Sequence, residues 1–261
     1  MCTIVLLRRP GHRWPLILGA NRDEMGTRPW AAPGRHWPDR EEVVAGLDRL
    51  AGGSWLGIND HGVVAGVLNR EGSLGPETGK RSRGELVLEA LDHADAAAAA
   101  QALSRLDARS YRSFNLVVVD SADAFWLRNR GAAGAVIEAF PIPPGLSMIT
   151  ALDRNDPKSA RIRAYLPRFE RAAAPDPDAR SPAAAWTDWE RLLAARVSEA
   201  AGPDSGEGGP LGAMSIATDN GFGTVSSSII ALPTPASSPK RPVWRFAAGR
   251  PGEAPFEPVS L

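Results

Sequence analysis

The sequence has little cysteine, no excess of charge and no long hydrophobic run, and each shortage excludes a class of protein. One cysteine in 261 residues excludes an internal disulfide framework and a zinc site built on cysteines. The 30 basic and 30 acidic side chains cancel, so no charged field favours nucleic acid or an anionic membrane. The N-terminal apolar run is too short for a signal peptide, and no run is long enough to span a membrane. We therefore expect a cytoplasmic protein with no nucleic-acid partner.

Histidine is also scarce, and the four histidines are not spaced as metal ligands. They fall in predicted turns or at a helix end, at His12, His36, His61 and His93. We predict no metal site and no cofactor, although these side chains are the obvious nitrogen ligands if the protein binds haem iron.

Apolar residues make up 43% of the chain, which is enough for a substantial core. Their spacing predicts strands over residues 3–7, 16–20, 42–46, 63–69, 114–120, 124–128, 135–139, 214–218, 224–232 and 242–247. It predicts helices over residues 86–94, 96–106, 154–171 and 186–200, and loops over 29–40 and 202–212. Strands occur in hairpins and helices in pairs, without βαβ alternation. Two stacked antiparallel sheets flanked by helix layers use these elements.

The first two predicted strands hold the most reactive side chains. If they form a hairpin about Gly11–His12, Cys2 lies opposite Asn21 and beside Arg22 and Asp23. A thiol, a cation and a carboxylate then meet at one strand edge, although they are far apart along the chain.

Cys2 is predicted to be an N-terminal nucleophile. Removal of Met1 leaves a thiol and a free α-amine on one residue, and such an amine has an ordinary pKa of about 7.7–8.0. The amine can therefore act as a base at neutral pH, and the guanidinium of Arg22 favours the thiolate. The alternative is that Cys2 is a small apolar residue that begins a buried strand.

Several motifs together resemble one family. The chain is similar to the NRDE family, also called the transport and Golgi organisation family, at Met1-Cys2, Asn21–Glu24, Gly53–Ile58 and Gly221–Thr224. That family resembles the N-terminal nucleophile (Ntn) hydrolases, and above all the cysteine-type bile-salt hydrolase and penicillin V acylase group. The resemblance implies one domain over residues 1–261, with an α+β, four-layer αββα fold. It also implies hydrolysis of a linear carbon–nitrogen amide bond in a small-molecule substrate.

The same resemblance implies roles for individual residues. Cys2 is the nucleophile, and Arg22 holds the thiolate and the substrate by charge. Asp23 orients the α-amine, and Asn69 donates an amide N–H to the oxyanion. Three further residues are predicted to contact the substrate, namely Asn21, Trp55 and Asn155.

Some of these residues also suit structural roles. Asn69 is typical of a turn after a strand, Asn155 is typical of a helix N-cap, and Trp55 is typical of core packing. Two positions depart from the amidase pattern. Ala151 stands where a second oxyanion asparagine is expected, and Val225 stands where a late arginine is expected.

A second function stays open because of these departures. The chain is alternatively a non-catalytic carrier or chaperone of a hydrophobic small molecule such as haem, since some members of the resembled family are linked to haem movement. A tryptophan-lined pocket matters under that hypothesis, and Cys2 is dispensable. Glu24 lies beyond the amidase pattern, and we predict a structural salt bridge from it to Arg22 or Arg28.

Overall fold

The computed structural model describes residues 2–131, 135–181, 185–196, 212–235 and 241–261. Within these ranges the strands form one six-stranded and one seven-stranded sheet, and all paired strands are antiparallel. The sheets pack face to face, and two helices cover the outer face of each. The predicted α+β sandwich is therefore confirmed. In the part of the chain that is described, no helix has the length and apolar character that a membrane crossing needs.

The six-stranded sheet carries the N-terminal hairpin next to its centre. Its spatial order is β10 (Gly145–Ile149), β1 (Thr3–Arg8), β2 (Leu16–Met25), β11 (Phe222–Leu232), β12 (Val243–Ala247) and β13 (Phe256–Pro258). The outer face packs against helices α3 (Ala160–Arg171) and α4 (Thr187–Leu193).

The seven-stranded sheet follows the chain without crossovers. Its strands are β3 (Trp30–Gly34), β4 (Val43–Asp48), β5 (Leu56–Asn59), β6 (Val64–Asn69), β7 (Phe114–Val119), β8 (Ala124–Asn129) and β9 (Glu138–Pro141). Helices α1 (Gly84–Leu91) and α2 (Ala96–Ser104) cover its outer face.

Alternation along the first hairpin decides which side chains face the space between the sheets. Ile4 and Leu18 belong to the apolar core between the sheets, whereas Val5 and Ile17 belong to the core beneath helices α3 and α4. Successive strand residues point to opposite faces. Even-numbered residues of this hairpin therefore face the other sheet, and odd-numbered residues face the helices.

The register of this hairpin differs from the predicted one by one residue. Thr3 pairs with Asn21, so Arg22 rather than Asn21 lies opposite Cys2. The turn closes through a hydrogen bond from Arg9 N to Pro15 O at 2.7 Å, which fixes the register beyond it. Because a slip of one residue exchanges the faces of a strand, Asn21 points to the helices.

Strands at sheet edges and next to prolines were the elements that the spacing did not predict. Residues 30–34 form β3 instead of a loop, and its Pro33 is tolerated because β3 lies at the sheet edge. The edge strands β10 and β13 were also missed. The predicted strand over residues 214–218 forms only an isolated bridge at Ala217.

The third helix begins later than predicted. Its N-cap is Ser159, whose Oγ accepts a hydrogen bond from Ile162 N at 3.3 Å. Asn155 has a φ of 55°, which interrupts helical geometry before that cap. The fourth helix ends at Leu193, and the rest of its predicted span past Arg196 lies outside the described residues, as does the predicted loop over 202–211.

We expect Tyr111→Phe to stabilise the protein by up to ~1 kcal/mol. The Tyr111 ring is buried and packs edge-to-face on Phe114 at 6.2 Å, but its hydroxyl has no hydrogen-bond partner in the described structure. Phenylalanine keeps the packing and removes the desolvated hydroxyl. Urea unfolding of both proteins measures the difference, and a loss above ~1 kcal/mol in the variant contradicts the prediction.

The same tyrosine provides a check by titration. Burial, followed by the nearby Glu89 carboxylate, raises the pKa of Tyr111 to about 12. Because the raised pKa belongs to the folded state, the contribution of this group to stability is complete below pH ~10 and falls as the pH rises towards ~12. We expect Tyr111→Phe to remove that part of the alkaline loss of stability.

Candidate active site

Cys2, Arg22 and Ser226 form a row across three adjacent strands, here called the inward row. Arg22 pairs with Ser226 between β2 and β11, and Cys2 lies opposite Arg22 just before β1. A β-bulge at Val225 shifts the pairing after Thr224 and so places Ser226 in the row. All three members line a small cavity between the sheets, with a volume of about 20 Å³.

The thiol of Cys2 is held by the main chain of Asp23. Asp23 N donates to Cys2 Sγ at 3.4 Å, and Sγ donates to Asp23 O at 3.6 Å. Burial, and next the Asp23 carboxylate, raise the pKa of the Cys2 thiol, whereas the Asp23 main-chain hydrogen bond and Arg22 lower it. The net direction is upward, so the thiol needs a base to become a nucleophile at neutral pH.

The guanidinium of Arg22 is buried against aromatic rings. It lies 4.1 Å from the ring centroid of Trp55 and 6.0 Å from that of Trp30. Asp48 Oδ2 is 4.0 Å from Arg22 Nη2, but it accepts a much closer hydrogen bond from Arg28 Nε at 2.8 Å. Arg22 Nη1 has no hydrogen-bond partner in the described structure. Burial lowers the pKa of Arg22, and this is the net direction. The negative charges of Cys2, Glu24 and Asp48 act in the opposite direction.

Glu24, two residues after Arg22 on β2, forms a salt bridge with Arg28. Its Oε2 lies 3.7 Å from Arg28 Nε, which confirms one of the two salt bridges predicted for it. Arg28 is thereby shared between Glu24 and Asp48.

Three consecutive serines on β11 have different environments. Ser227 faces the helices and donates to Asn21 Oδ1 at 2.6 Å. Ser228 faces the cavity, and its Oγ accepts from Trp244 Nε1 at 3.1 Å. Ser226 faces the same cavity, but its buried Oγ has no hydrogen-bond partner in the described structure. The alternation of side chains along a strand is the sequence signal for the face that Ser226 occupies. Its position opposite Arg22 depends on the bulge at Val225.

The Asp23 carboxylate lies on the opposite face of the sheet from the cavity. Its Oδ2 accepts from Arg161 Nη1 at 3.1 Å, and its Oδ1 accepts from Thr224 Oγ1 at 2.6 Å. Arg161 also donates to Thr3 Oγ1, next to Cys2. The structure thus brings Asp23 to the thiol through its main chain and holds its carboxylate beneath the start of β1. Sequence reasoning missed Arg161 and Thr224, because their contacts with Asp23 depend on packing distant parts of the chain together.

Asn21 is directed to the helices by the observed register. Its Nδ2 donates to Leu193 O at 2.9 Å and to Met214 O at 2.8 Å. These bonds tie the end of α4 to the sheet, and they use both amide protons. The Asn21 side chain, which was predicted to contact the substrate, therefore stabilises the contact between the sheet and helix α4.

The other two predicted asparagines lie in different parts of the fold. Asn69 ends β6, directly after Val67 and Leu68, which both line the cavity. Asn155 accepts from Met148 N at 2.6 Å and donates from its own N to Met148 O at 2.8 Å, which completes the free edge of β10. It is neither beside Cys2 nor the helix N-cap.

Ala151, at the position where a second oxyanion asparagine was expected, lies two residues beyond the end of β10, whose Ile149 pairs with Ile4. Its methyl side chain offers no hydrogen-bond donor. In the described structure, no group of three or more His, Cys, Asp or Glu side chains is placed to hold a metal ion.

Comparisons with known proteins identify the family and the fold of this chain. The family model described as "Transport and Golgi organisation 2" matches residues 1–233. The transport and Golgi organization protein 2 homolog of Bos taurus is 38% identical over 111 residues, which is 40% of this chain and 38% of the relative. The Homo sapiens homolog is 36% identical over 115 residues, which is 42% of this chain and 40% of the relative. The alignments thus span about two fifths of each curated relative.

Two solved structures share the fold. The Caenorhabditis elegans ortholog of N-acylethanolamine-hydrolyzing acid amidase has a TM-score of 0.55 at 13% identity, covering 90% of this chain and 95% of its own. Penicillin V acylase from Agrobacterium tumefaciens has a TM-score of 0.52 at 14% identity, covering 95% of this chain and 83% of its own. At these identities the likeness concerns the fold, and it confirms the Ntn-hydrolase architecture.

Proposed function

Because the chain belongs to the Transport and Golgi organisation 2 family and holds a thiol beside a buried guanidinium, we propose that it hydrolyses linear carbon–nitrogen amide bonds. The observation that carries this proposal is the placement of Cys2 and Arg22 in one inter-sheet cavity. Two proteins of similar fold are named as an amidase and an acylase, which supports the reaction class. The substrate in this proposal is a small molecule.

The reaction begins with the thiol of Cys2 after removal of Met1. The freed α-amine of Cys2 takes the thiol proton, because the raised pKa of the thiol otherwise keeps it protonated. The thiolate attacks the amide carbonyl carbon, the carbon–nitrogen bond breaks, and the ammonium group returns the proton to the leaving amine. Water then hydrolyses the thioester, which releases the acid and restores the thiol.

Residues beside Cys2 stabilise charge in this scheme. Arg22 balances the thiolate and the charge that develops on the substrate. The main-chain N–H of Asp23 donates to sulfur, and its carboxylate orients the α-amine through the network with Arg161. Trp55 holds the guanidinium plane. Asn69, which follows the cavity-lining Leu68, is the proposed donor to the oxyanion. We assign no step to the Asn155 side chain, because its amide oxygen accepts from Met148 N.

The test compares two forms of the same chain, one that starts at Cys2 and one that retains Met1. Release of the amine from a panel of N-acyl amides is measured, and intact mass establishes each N-terminus. We expect the form with Met1 to be slower by roughly 10²–10⁴-fold, because it lacks the positioned base. Equal rates in the two forms contradict the mechanism.

A further inference from the structure

Two buried polar groups in the cavity lack a hydrogen-bond partner within the described residues. They are Nη1 of Arg22, which is 6% exposed, and Oγ of Ser226, which is 1% exposed. Buried polar groups in native proteins are almost always paired, so two such groups on neighbouring residues at one cavity mark a position where a bound oxygen atom is expected.

The two residues are next to each other and lie on the same face of the sheet. Arg22 and Ser226 are directly paired across β2 and β11, on the face that the other sheet covers. Side chains of such a pair lie about 5 Å apart at Cβ. A guanidinium N–H and a hydroxyl are both donors, and two donors on neighbouring residues together suit the oxygens of a carboxylate.

The acidic side chain nearest to Arg22 does not fulfil this function. Asp48 approaches Nη2 only to 4.0 Å, whereas it accepts from Arg28 Nε at 2.8 Å and from Leu50 N at 3.1 Å. Nη1 has no hydrogen-bond partner among the described residues, and the guanidinium lies 4.1 Å from the ring centroid of Trp55, a residue that also lines the cavity.

We propose that Arg22 and Ser226 bind a carboxylate group of the substrate, so the amide that Cys2 cleaves belongs to an anionic molecule. Adjacent strands are about 4.8 Å apart, so this carboxylate lies only a few bonds from the carbonyl carbon that the thiolate attacks. The cleavage rests on the proposed function, whereas the carboxylate site is testable without it. Ser226 is a binding residue in this proposal.

Alkylation of Cys2 by iodoacetate and by iodoacetamide tests the site. In both reactions the thiolate forms a sulfur–carbon bond and iodide leaves. The reagents differ mainly in one group, which is a negatively charged carboxylate in iodoacetate and a neutral amide in iodoacetamide. The thiol pKa affects both rates equally, so the ratio of the two second-order rate constants reports carboxylate binding. We expect the iodoacetate-to-iodoacetamide ratio at Cys2 to exceed that of glutathione by about tenfold or more, which corresponds to one charge-assisted contact.

Two matched serine variants identify the residue responsible. Ser226→Ala is expected to lower the ratio about five- to tenfold, and Ser226→Thr, which restores a hydroxyl, to recover part of it. Ser228→Ala is the control, because that serine lies on the same strand and face but already accepts from Trp244. We expect it to keep the wild-type ratio. A wild-type ratio equal to that of glutathione, or equal losses in both alanine variants, overturns the proposal.

A second measurement needs no variant, in case Ser226→Ala does not fold. Propionate is expected to slow alkylation of wild-type Cys2 by iodoacetamide, while propionamide at the same concentration is not; equal protection overturns the proposal. Failure of the two proposals is distinguishable. Carboxylate preference without hydrolysis of any amide refutes the proposed function alone. Hydrolysis that does not favour substrates with a carboxylate refutes the carboxylate site alone.

Discussion

Replacement of Cys2 with alanine is expected to abolish amide hydrolysis and to leave the fold intact. The only other nucleophilic side chain of the inward row is Ser226, and no histidine or lysine side chain is among the residues that line the cavity. The thiol is partly exposed at the start of β1, so losing one sulfur atom should cost about 1 kcal/mol or less. Steady-state amine release and thermal unfolding of the two proteins measure both effects.

Cys2→Ser is the matched control for this substitution. A serine hydroxyl keeps hydrogen bonds to the Asp23 main chain but is a much weaker nucleophile, so activity should fall steeply while stability stays within about 0.5 kcal/mol. Hydrolysis that survives in Cys2→Ala places the nucleophile elsewhere in the chain.

The Cys2→Ala variant also distinguishes the hydrolysis hypothesis from the carrier hypothesis. A carrier of a hydrophobic molecule keeps its ligand when Cys2 is replaced, because the aromatic wall of Trp30 and Trp55 is unchanged. Haem titration followed by the Soret band, with wild type and Cys2→Ala in parallel, shows whether such binding exists. Equal haem binding by both proteins, with no hydrolysis by either, favours the carrier.

The layers of the fold were predictable because local patterns specify them. Alternation in the first hairpin separates Ile4 and Leu18 from Val5 and Ile17, so the side of each residue follows from its parity. The turn over Asp60–Gly62 lies between two apolar runs, a pattern typical of a hairpin, and it joins β5 to β6 in the structure. Such signals involve residues that are close in the chain.

The dense glycines near β4 and β5 permit a close approach of other segments, and the structure shows which segments approach. A Cβ on Gly53 would lie 2.6 Å from the carbonyl carbon of Gly84, at the start of α1. A Cβ on Gly46 would lie 2.3 Å from the ring of Trp55, which in turn supports Arg22. Glycine density signalled the approach, but not its partner, because the partner comes from another segment.

The details of the site were less predictable because they depend on tertiary packing. One extra residue in the first turn moved Asn21 from the cavity to the helices. The bulge at Val225 decides that Ser226 faces Arg22, and a bulge in a strand of small polar residues leaves no local signal. Arg161 reaches Asp23 from 138 positions away, and no periodicity connects them.

Asp23→Ala is expected to destabilise the fold by about 3–5 kcal/mol. The side chain of Asp23 is 0% exposed and that of Arg161 is 4% exposed, and the carboxylate also accepts from Thr224. Removing the carboxylate leaves the buried guanidinium of Arg161 without this counter-charge. It also leaves the hydroxyl of Thr224 without this acceptor. Urea unfolding measures the loss, and a cost below 1 kcal/mol contradicts the assignment of a buried pair.

The control for this prediction removes both charges. Asp23→Ala combined with Arg161→Met should recover part of the loss, because an apolar side chain of similar volume tolerates burial better than an isolated charge. In a double-mutant cycle the coupling should be about 1–3 kcal/mol. Additive losses would show that the two side chains do not stabilise each other.

Asp23→Asn isolates the electrostatic effect of this carboxylate on the thiol. The amide keeps the shape and the acceptor for Thr224, but it removes the negative charge that raises the pKa of Cys2. The thiolate should therefore form at lower pH, and the midpoint of the pH–rate profile for iodoacetamide alkylation should move down. Burial still raises the pKa in the variant, so the midpoint should stay above that of a free cysteine. An upward shift of the midpoint would mean that the carboxylate helps the thiol to ionise, which reverses the sign argued from the structure.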